Sequence, residues 1–190
     1  MKTIEQQMKI ADEVMAKLET FDPTCILAGG APRDWMFGNL ATDLDFFVYW
    51  RPEFVAQKFR YLTQLSKLKF KPREKIATNL PQNYKRNPYL IAVYEFEYKG
   101  ETVQIMFMSE PTFTSVVPLF PFGICQAWYK TPLDPQDPFS AQWGCGIQVT
   151  ELFKESVRHK VLRLVNDLYN DTDGYIEKIR SKFPDYLFLD

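Results

Sequence analysis

The chain has 190 residues, 46% of them hydrophobic and 16% aromatic, which is enough for one well-packed domain, with or without a helical appendage. Sixteen Phe and ten Tyr argue against a long disordered region, and no apolar run reaches the roughly 18 residues that a membrane-spanning helix needs. A net charge of -1 excludes a generic polyanion binder.

Thr3, with Gln6 three residues on, forms a capping box, and Ile4, Met8, Ala11, Met15 and Leu18 follow at helical spacing up to Asp22-Pro23. Thr24 to Ala28 reads as a short buried strand between Pro23 and Gly29. Ala31 to Phe37 reads as a helix, with Pro32 tolerated in the first turn and Gly38 placed to end it. Asp43 to Tyr49 is a second strand. A helix follows from Arg51-Pro52-Glu53, with Phe54, Val55, Phe59, Leu62 and Leu65 on its inner face. Leu90 to Tyr98 and Glu101 to Met108 are two strands joined at Lys99-Gly100, a hairpin signal. Residues 111–149 are rich in Pro, Phe and Trp and give no clear periodicity. Leu152 to Tyr169 reads as one helix, and Gly174 to Phe183 as a shorter one. The expected organisation is a domain over residues 1–149 and a helical C-terminal segment over 150–190, packed on it.

Charge is unevenly placed. Between Lys58 and Arg86 nine basic residues meet the single acid Glu74, a net charge of +8, which leaves -9 for the remainder. Lys69, Lys71, Arg73, Lys75, Lys85 and Arg86 are therefore candidates for RNA or phosphate contact, with Phe59, Tyr61, Phe70 and Tyr84 interleaved for base stacking. The bland alternative is a solvated lysine face followed by a basic loop. Cys25, Cys125 and Cys145 lack metal-ligand spacing, and Cys25 sits in an apolar run as a small core residue. The charged N-terminus lacks the apolar stretch of a signal peptide, so a reduced, cytoplasmic setting is expected.

Residues 29–45, GGAPRDWMFGNLATDLD, carry the chemistry. Two glycines at the mouth of a helix leave backbone N–H groups bare, in the positive end of the helix dipole, where an anion can sit. On the following strand Asp43 and Asp45 point the same way, about 7 Å apart, while Leu44 and Phe46 face the core. Such a pair suits Mg2+ or Mn2+. Each piece alone is commonplace: a glycine pair is usually a turn, an Asp-x-Asp usually a solvated strand end, an Arg-Asp usually a surface pair. Their joint spacing after a strand is the informative observation.

That spacing resembles the head of class II tRNA nucleotidyltransferases and bacterial poly(A) polymerases, in the DNA polymerase β-like superfamily. Their pattern is Gly-Gly, two residues, Arg-Asp, three residues, Gly, four residues, then Asp-x-Asp. Gly29, Gly30, Arg33, Asp34, Gly38, Asp43 and Asp45 meet every position. The resemblance implies an α/β (α+β) nucleotidyltransferase head, a mixed sheet flanked by helices. It also implies metal-dependent transfer of a nucleoside monophosphate from an NTP to an acceptor hydroxyl, releasing pyrophosphate. The basic stretch makes an RNA 3′ end (tRNA is one candidate) the preferred acceptor, with a protein side chain or small molecule as alternatives. Asp43 and Asp45 would be the catalytic metal ligands, and Gly29 and Gly30 would grip phosphates. Arg33 and Asp34 would order the loop or touch the triphosphate and sugar; a salt bridge pinning the helix is the alternative.

The resemblance has gaps. A third carboxylate common on a later strand is replaced within Val103-Gln104-Ile105-Met106 by Gln104, which cannot serve as a charged ligand. Either two carboxylates suffice, or Glu95, Glu97 or Glu101 substitutes, or turnover is lost. No Arg-Arg-Asp block and no base-selecting Glu-Asp-x-x-Arg follows, so a full CCA-adding enzyme is not expected. The alternatives are a nucleotide- or RNA-binding module without turnover, and an antitoxin-like interaction module meeting a protein partner through residues 111–149.

Overall fold

The computed structural model describes residues 2–50, 73–76, 87–110, 116–131, 146–166 and 172–189, with the backbone alone for 73–76, 172 and 173. The chain opens with α1 (Ile4–Leu18), capped as its sequence requires: the Thr3 hydroxyl accepts from the Gln6 N–H, and the Gln6 side chain accepts from the Thr3 N–H. Its inward stripe is Gln7, Ile10, Ala11, Val14, Met15 and Leu18. Then come β1 (Ile26–Ala28), α2 (Gly30–Met36), β2 (Asp43–Tyr49), β3 (Arg73–Ile76), β4 (Leu90–Tyr98) and β5 (Glu101–Met108). They are followed by β6 (Ala127–Lys130), β7 (Gly146–Val149), α3 (Glu151–His159), β8 (Val161–Arg163), α4 (Thr172–Lys182) and β9 (Leu187–Leu189).

Seven strands form one mixed sheet in the order β3-β4-β5-β2-β1-β6-β7. β2 lies in the middle, parallel to β5 and antiparallel to β1. The β4–β5 hairpin turns through Lys99 and Gly100, both at positive φ, the two-residue turn whose twist suits a hairpin. Strand alternation divides the core between the two faces of the sheet. On the rear face α1 and Trp35 pack on Leu27, Leu44, Phe46, Val48, Phe96, Val103, Ile105 and Phe107. On the front face Ile26, Ala28, Phe47, Val93, Met106, Met108 and Trp128 meet Val116 and Val117. Each fully buried Phe, Leu or Ile contributes about 1.5–3 kcal/mol. The described part of the Pro- and Phe-rich segment is thus mostly interior: Phe122, Ile124, Ala127, Trp128 and Tyr129 are all buried.

One buried side chain fixes the approach to β2. Gln7 Oε1 accepts from Trp35 Nε1 (2.7 Å) and from the Ala41 N–H (2.9 Å), while Nε2 donates to the Ala41 carbonyl (3.0 Å) and to Glu101 Oε2 (2.9 Å). All four bonds that its amide offers in this setting tie α1, α2, the start of β2 and β5 together. At the other end of the strand Asp22 Oδ2 accepts from the Tyr49 N–H.

The C-terminal segment departs from its periodicity. Thr150 caps α3 through the Phe153 N–H, but the helix stops at Lys160, which turns left-handed (φ 50°), instead of continuing to Tyr169. Val161, Leu162 and Arg163 extend and pair with Leu187, Phe188 and Leu189, and Leu164 bridges to Phe122. A Val- and Leu-rich run suits either a helix or a strand, and here partner strands decided. Phe153, Leu162, Ile179 and Phe183 cluster with Phe122, Ile124 and Cys125. The predicted helix starting at Arg51 lies outside the described residues. Among the described residues, no helix is long and apolar enough to cross a membrane.

Candidate nucleotide-binding site

Gly29 follows β1 with φ 86°, a value that side-chain-bearing residues rarely adopt, and its N–H donates to the Ala127 carbonyl. A Cβ there would stand 3.2 Å from the Phe120 ring. Gly30 differs: a Cβ on it would meet only Arg33 Nη2, at 3.9 Å, so its missing side chain leaves open space in front of the helix. That space is a cavity of about 440 Å³, whose lining includes Gly29, Gly30, Arg33, Asp34, Asp43 and Asp45. Six of the seven residues that match the glycine–aspartate pattern therefore line one cavity; Gly38, which ends the helix, does not.

The floor is β2. Leu44 and Phe46 are fully buried on the rear face, and Asp43 and Asp45 turn to the front. Asp45 Oδ1 is enclosed and has no hydrogen-bond partner among the described residues. Burial first, and the neighbouring Asp43 charge second, push the Asp45 carboxyl up to about 8, with Lys178 acting in the opposite direction. An enclosed carboxylate oxygen without a donor, beside a second carboxylate on the same face, fits a hard divalent cation. Among the described residues no cluster of three or more His, Cys, Asp or Glu is placed to hold a metal.

Arg33 and Asp34 are buried and paired: Arg33 Nε and Nη2 both reach Asp34 Oδ1, at 2.8 and 2.7 Å. Lys182 Nζ takes Asp34 Oδ2 at 2.6 Å, and Arg33 also reaches Cys125 Sγ and the face of Phe183. The Arg33–Asp34 salt bridge is present, and Lys182 extends it to tie α2 to α4.

Cross-strand register locates the alternatives for the third carboxylate. Asp45 stands opposite Gln104, Gln104 opposite Glu95, and Glu95 opposite Arg73. Laterally paired residues share a face, so Gln104 and Glu95 lie on the front, as does Glu97, opposite Thr102 and thence Asp43. Gln104 Nε2 donates to Glu95 Oε2 at 3.1 Å. Glu101 falls on the rear face, where it binds Lys2 and Gln7. Of the basic candidates, Arg73 and Lys75 lie on β3 with only their backbone described, and Lys69, Lys71, Lys85 and Arg86 lie outside the described residues.

Several lining residues escaped the sequence reading. Gly174, Tyr175, Lys178, Ile179 and Lys182 bring α4 over the cavity, and Phe120 and Pro121 close another side. Tyr175, Lys178, Ile179 and Lys182 recur at i, i+3, i+4 and i+7, so one helix face was readable in advance; its target was not.

No protein-family model matches the chain, and no curated protein sequence does either. Solved structures do. A CCA-adding enzyme in complex with ATP superposes with a TM-score of 0.61 at 15% identity, covering 96% of this chain and 39% of that one. A tRNA-processing enzyme in an apo form gives 0.62 at 13%, covering 100% and 45%. The Thermotoga maritima CCA-adding enzyme complexed with tRNA gives 0.56 at 15%, covering 93% and 38%. The chain thus spans less than half the length of these proteins, and at such identity the likeness concerns fold. The chain shares its fold with these solved CCA-adding and tRNA-processing structures, in keeping with the nucleotidyltransferase-like head that its glycine–aspartate window resembles.

Proposed function

We propose that the chain is a nucleotidyltransferase using Mg2+ or Mn2+, which moves a nucleoside monophosphate from an NTP to an acceptor hydroxyl and releases pyrophosphate. The observation that carries this reading is the convergence of Gly29 and Gly30 with Asp43 and Asp45 in one cavity large enough for a nucleotide's phosphates and part of its nucleoside. In the reaction the acceptor oxygen forms a bond to the α-phosphorus, the bond from that phosphorus to the β-bridging oxygen breaks, and the hydroxyl proton leaves to solvent. Asp43 and Asp45 would hold the divalent ion, whose chemistry is to lower the acceptor hydroxyl's pKa and neutralise charge on the leaving pyrophosphate. Gly30 leaves room for phosphate oxygens to approach the backbone. The Arg33–Asp34–Lys182 network keeps that turn in place. In this reading residues 1–149 form the catalytic unit, and the 150–190 segment walls one side of its site.

An RNA 3′ end is the preferred acceptor. Support comes from the +8 stretch between Lys58 and Arg86, and from the tRNA held by a protein of the same fold. A second reading, nucleotide or RNA binding without turnover, is favoured by one observation: the position beside Asp45 is the neutral Gln104, engaged with Glu95. Incubating purified protein with each labelled NTP, Mg2+ or Mn2+, and total RNA separates the two. Label transfer that disappears in the Asp43→Ala/Asp45→Ala variant is the expected result. Nucleotide binding with no transfer to any RNA would favour the second reading, and no binding at all would end both.

A further inference from the structure

The cavity contains three cationic side chains among its described lining residues: Arg33, Lys178 and Lys182. Two of them are committed, since Arg33 and Lys182 share the Asp34 carboxylate at 2.6–2.8 Å. Lys178 is exposed on α4, and its ammonium has no ion pair or hydrogen bond among the described residues. It nevertheless lies close enough for its charge to act on Asp45. An ammonium held at a carboxylate-lined cavity without a carboxylate of its own is placed for an anion that arrives with the ligand.

Charge balance identifies that anion. Asp43 and Asp45 would offset one divalent ion, and Gln104 adds no charge for a second. A nucleoside triphosphate brings about four negative charges at neutral pH, more than one divalent ion offsets, so cationic side chains at the cavity suit the remainder. We propose that Lys178 binds the terminal phosphates of the NTP, making α4 part of the nucleotide site and Lys178 the cation that stabilises the departing pyrophosphate. The inference rests on the nucleotidyl-transfer reading. It adds a residue that the glycine–aspartate window does not contain, presented by the segment after residue 150.

The test uses the whole chain, with inorganic tripolyphosphate and the four NTPs as probes, each with Mg2+, by isothermal titration calorimetry. Lys178→Gln should weaken tripolyphosphate and the preferred NTP by about tenfold, the size of one charge-assisted hydrogen bond. Lys178→Arg should recover most of that loss. Lys154→Gln, which removes another exposed lysine, paired with Glu151 on α3, controls for net charge and should change affinity less than twofold. Thermal unfolding of Lys178→Gln should match wild type, since the side chain is exposed. Wild type that binds while Lys178→Gln binds within twofold of it, or a Lys154→Gln loss equal to that of Lys178→Gln, overturns the role of Lys178 and leaves the proposed function standing. Wild type that binds none of the probes overturns both.

Discussion

Asp45 is the residue whose cost to the fold should be measurable. Replacing it with Asn keeps the shape and removes a charge enclosed without a donor. A carboxyl that loses its proton near pH 4 in the unfolded chain and near 8 in the folded one represents about four pK units. At about 1.4 kcal/mol per unit the ceiling is roughly 5 kcal/mol. The Asp43 charge is part of the cause, and Asn retains a buried polar oxygen, so about 2 kcal/mol is expected for Asp45→Asn near pH 7.5. The sign follows from proton binding. Between about pH 4 and 8 the folded state holds a proton that the unfolded state has released, so this group's contribution falls as pH rises across that window and levels off above it. The Asn variant should therefore match wild type near pH 4. In EDTA at pH 7.5 it should melt about 4–8 °C higher. Mg2+ at ten times its dissociation constant should return about 1.4 kcal/mol to wild type and nothing to the variant. Thermal and urea unfolding from pH 4 to 8.5, with EDTA or Mg2+, read all three effects. An Asn variant less stable than wild type at pH 7.5 in EDTA, or a difference independent of pH, would refute the account of the site's electrostatics.

The two glycines should separate folding from binding. Gly29→Ala forces a side chain onto φ 86° and against Phe120, and should cost about 1–3 kcal/mol in urea unfolding. Gly30→Ala should unfold like wild type yet weaken tripolyphosphate binding severalfold, because its Cβ occupies the cavity mouth. Gln7→Leu strands the Trp35 Nε1 and the Ala41 N–H, and should destabilise by about 2–4 kcal/mol in chemical denaturation. Gln104→Glu places a charge between Asp45 and Glu95. It should lower Tm in EDTA and raise Mn2+ affinity by calorimetry; unchanged Mn2+ affinity would count against a metal at this end of β2.

Local chemistry made much of this protein legible from residues alone. The Thr3–Gln6 box set the start of α1, Lys99-Gly100 set the hairpin, and alternation along Asp43–Tyr49 put both aspartates on one face, because each depends on neighbours within a few positions. The spacing from Gly29 to Asp45 placed the site residues on adjoining elements. What lay opposite them did not follow from spacing. Only the strand order and register showed that Glu95 shares the front face with Gln104 and Asp45 while Glu101 lies at the rear, since Asp45 and these residues are dozens of positions apart. Only tertiary pairing ended α3 at Lys160, where Val161–Arg163 found a strand partner in Leu187–Leu189. The same packing carried Lys178 and Lys182 from the far end of the chain to the cavity. Periodicity shows that a helix has a face; the packed structure determines which surface that face meets.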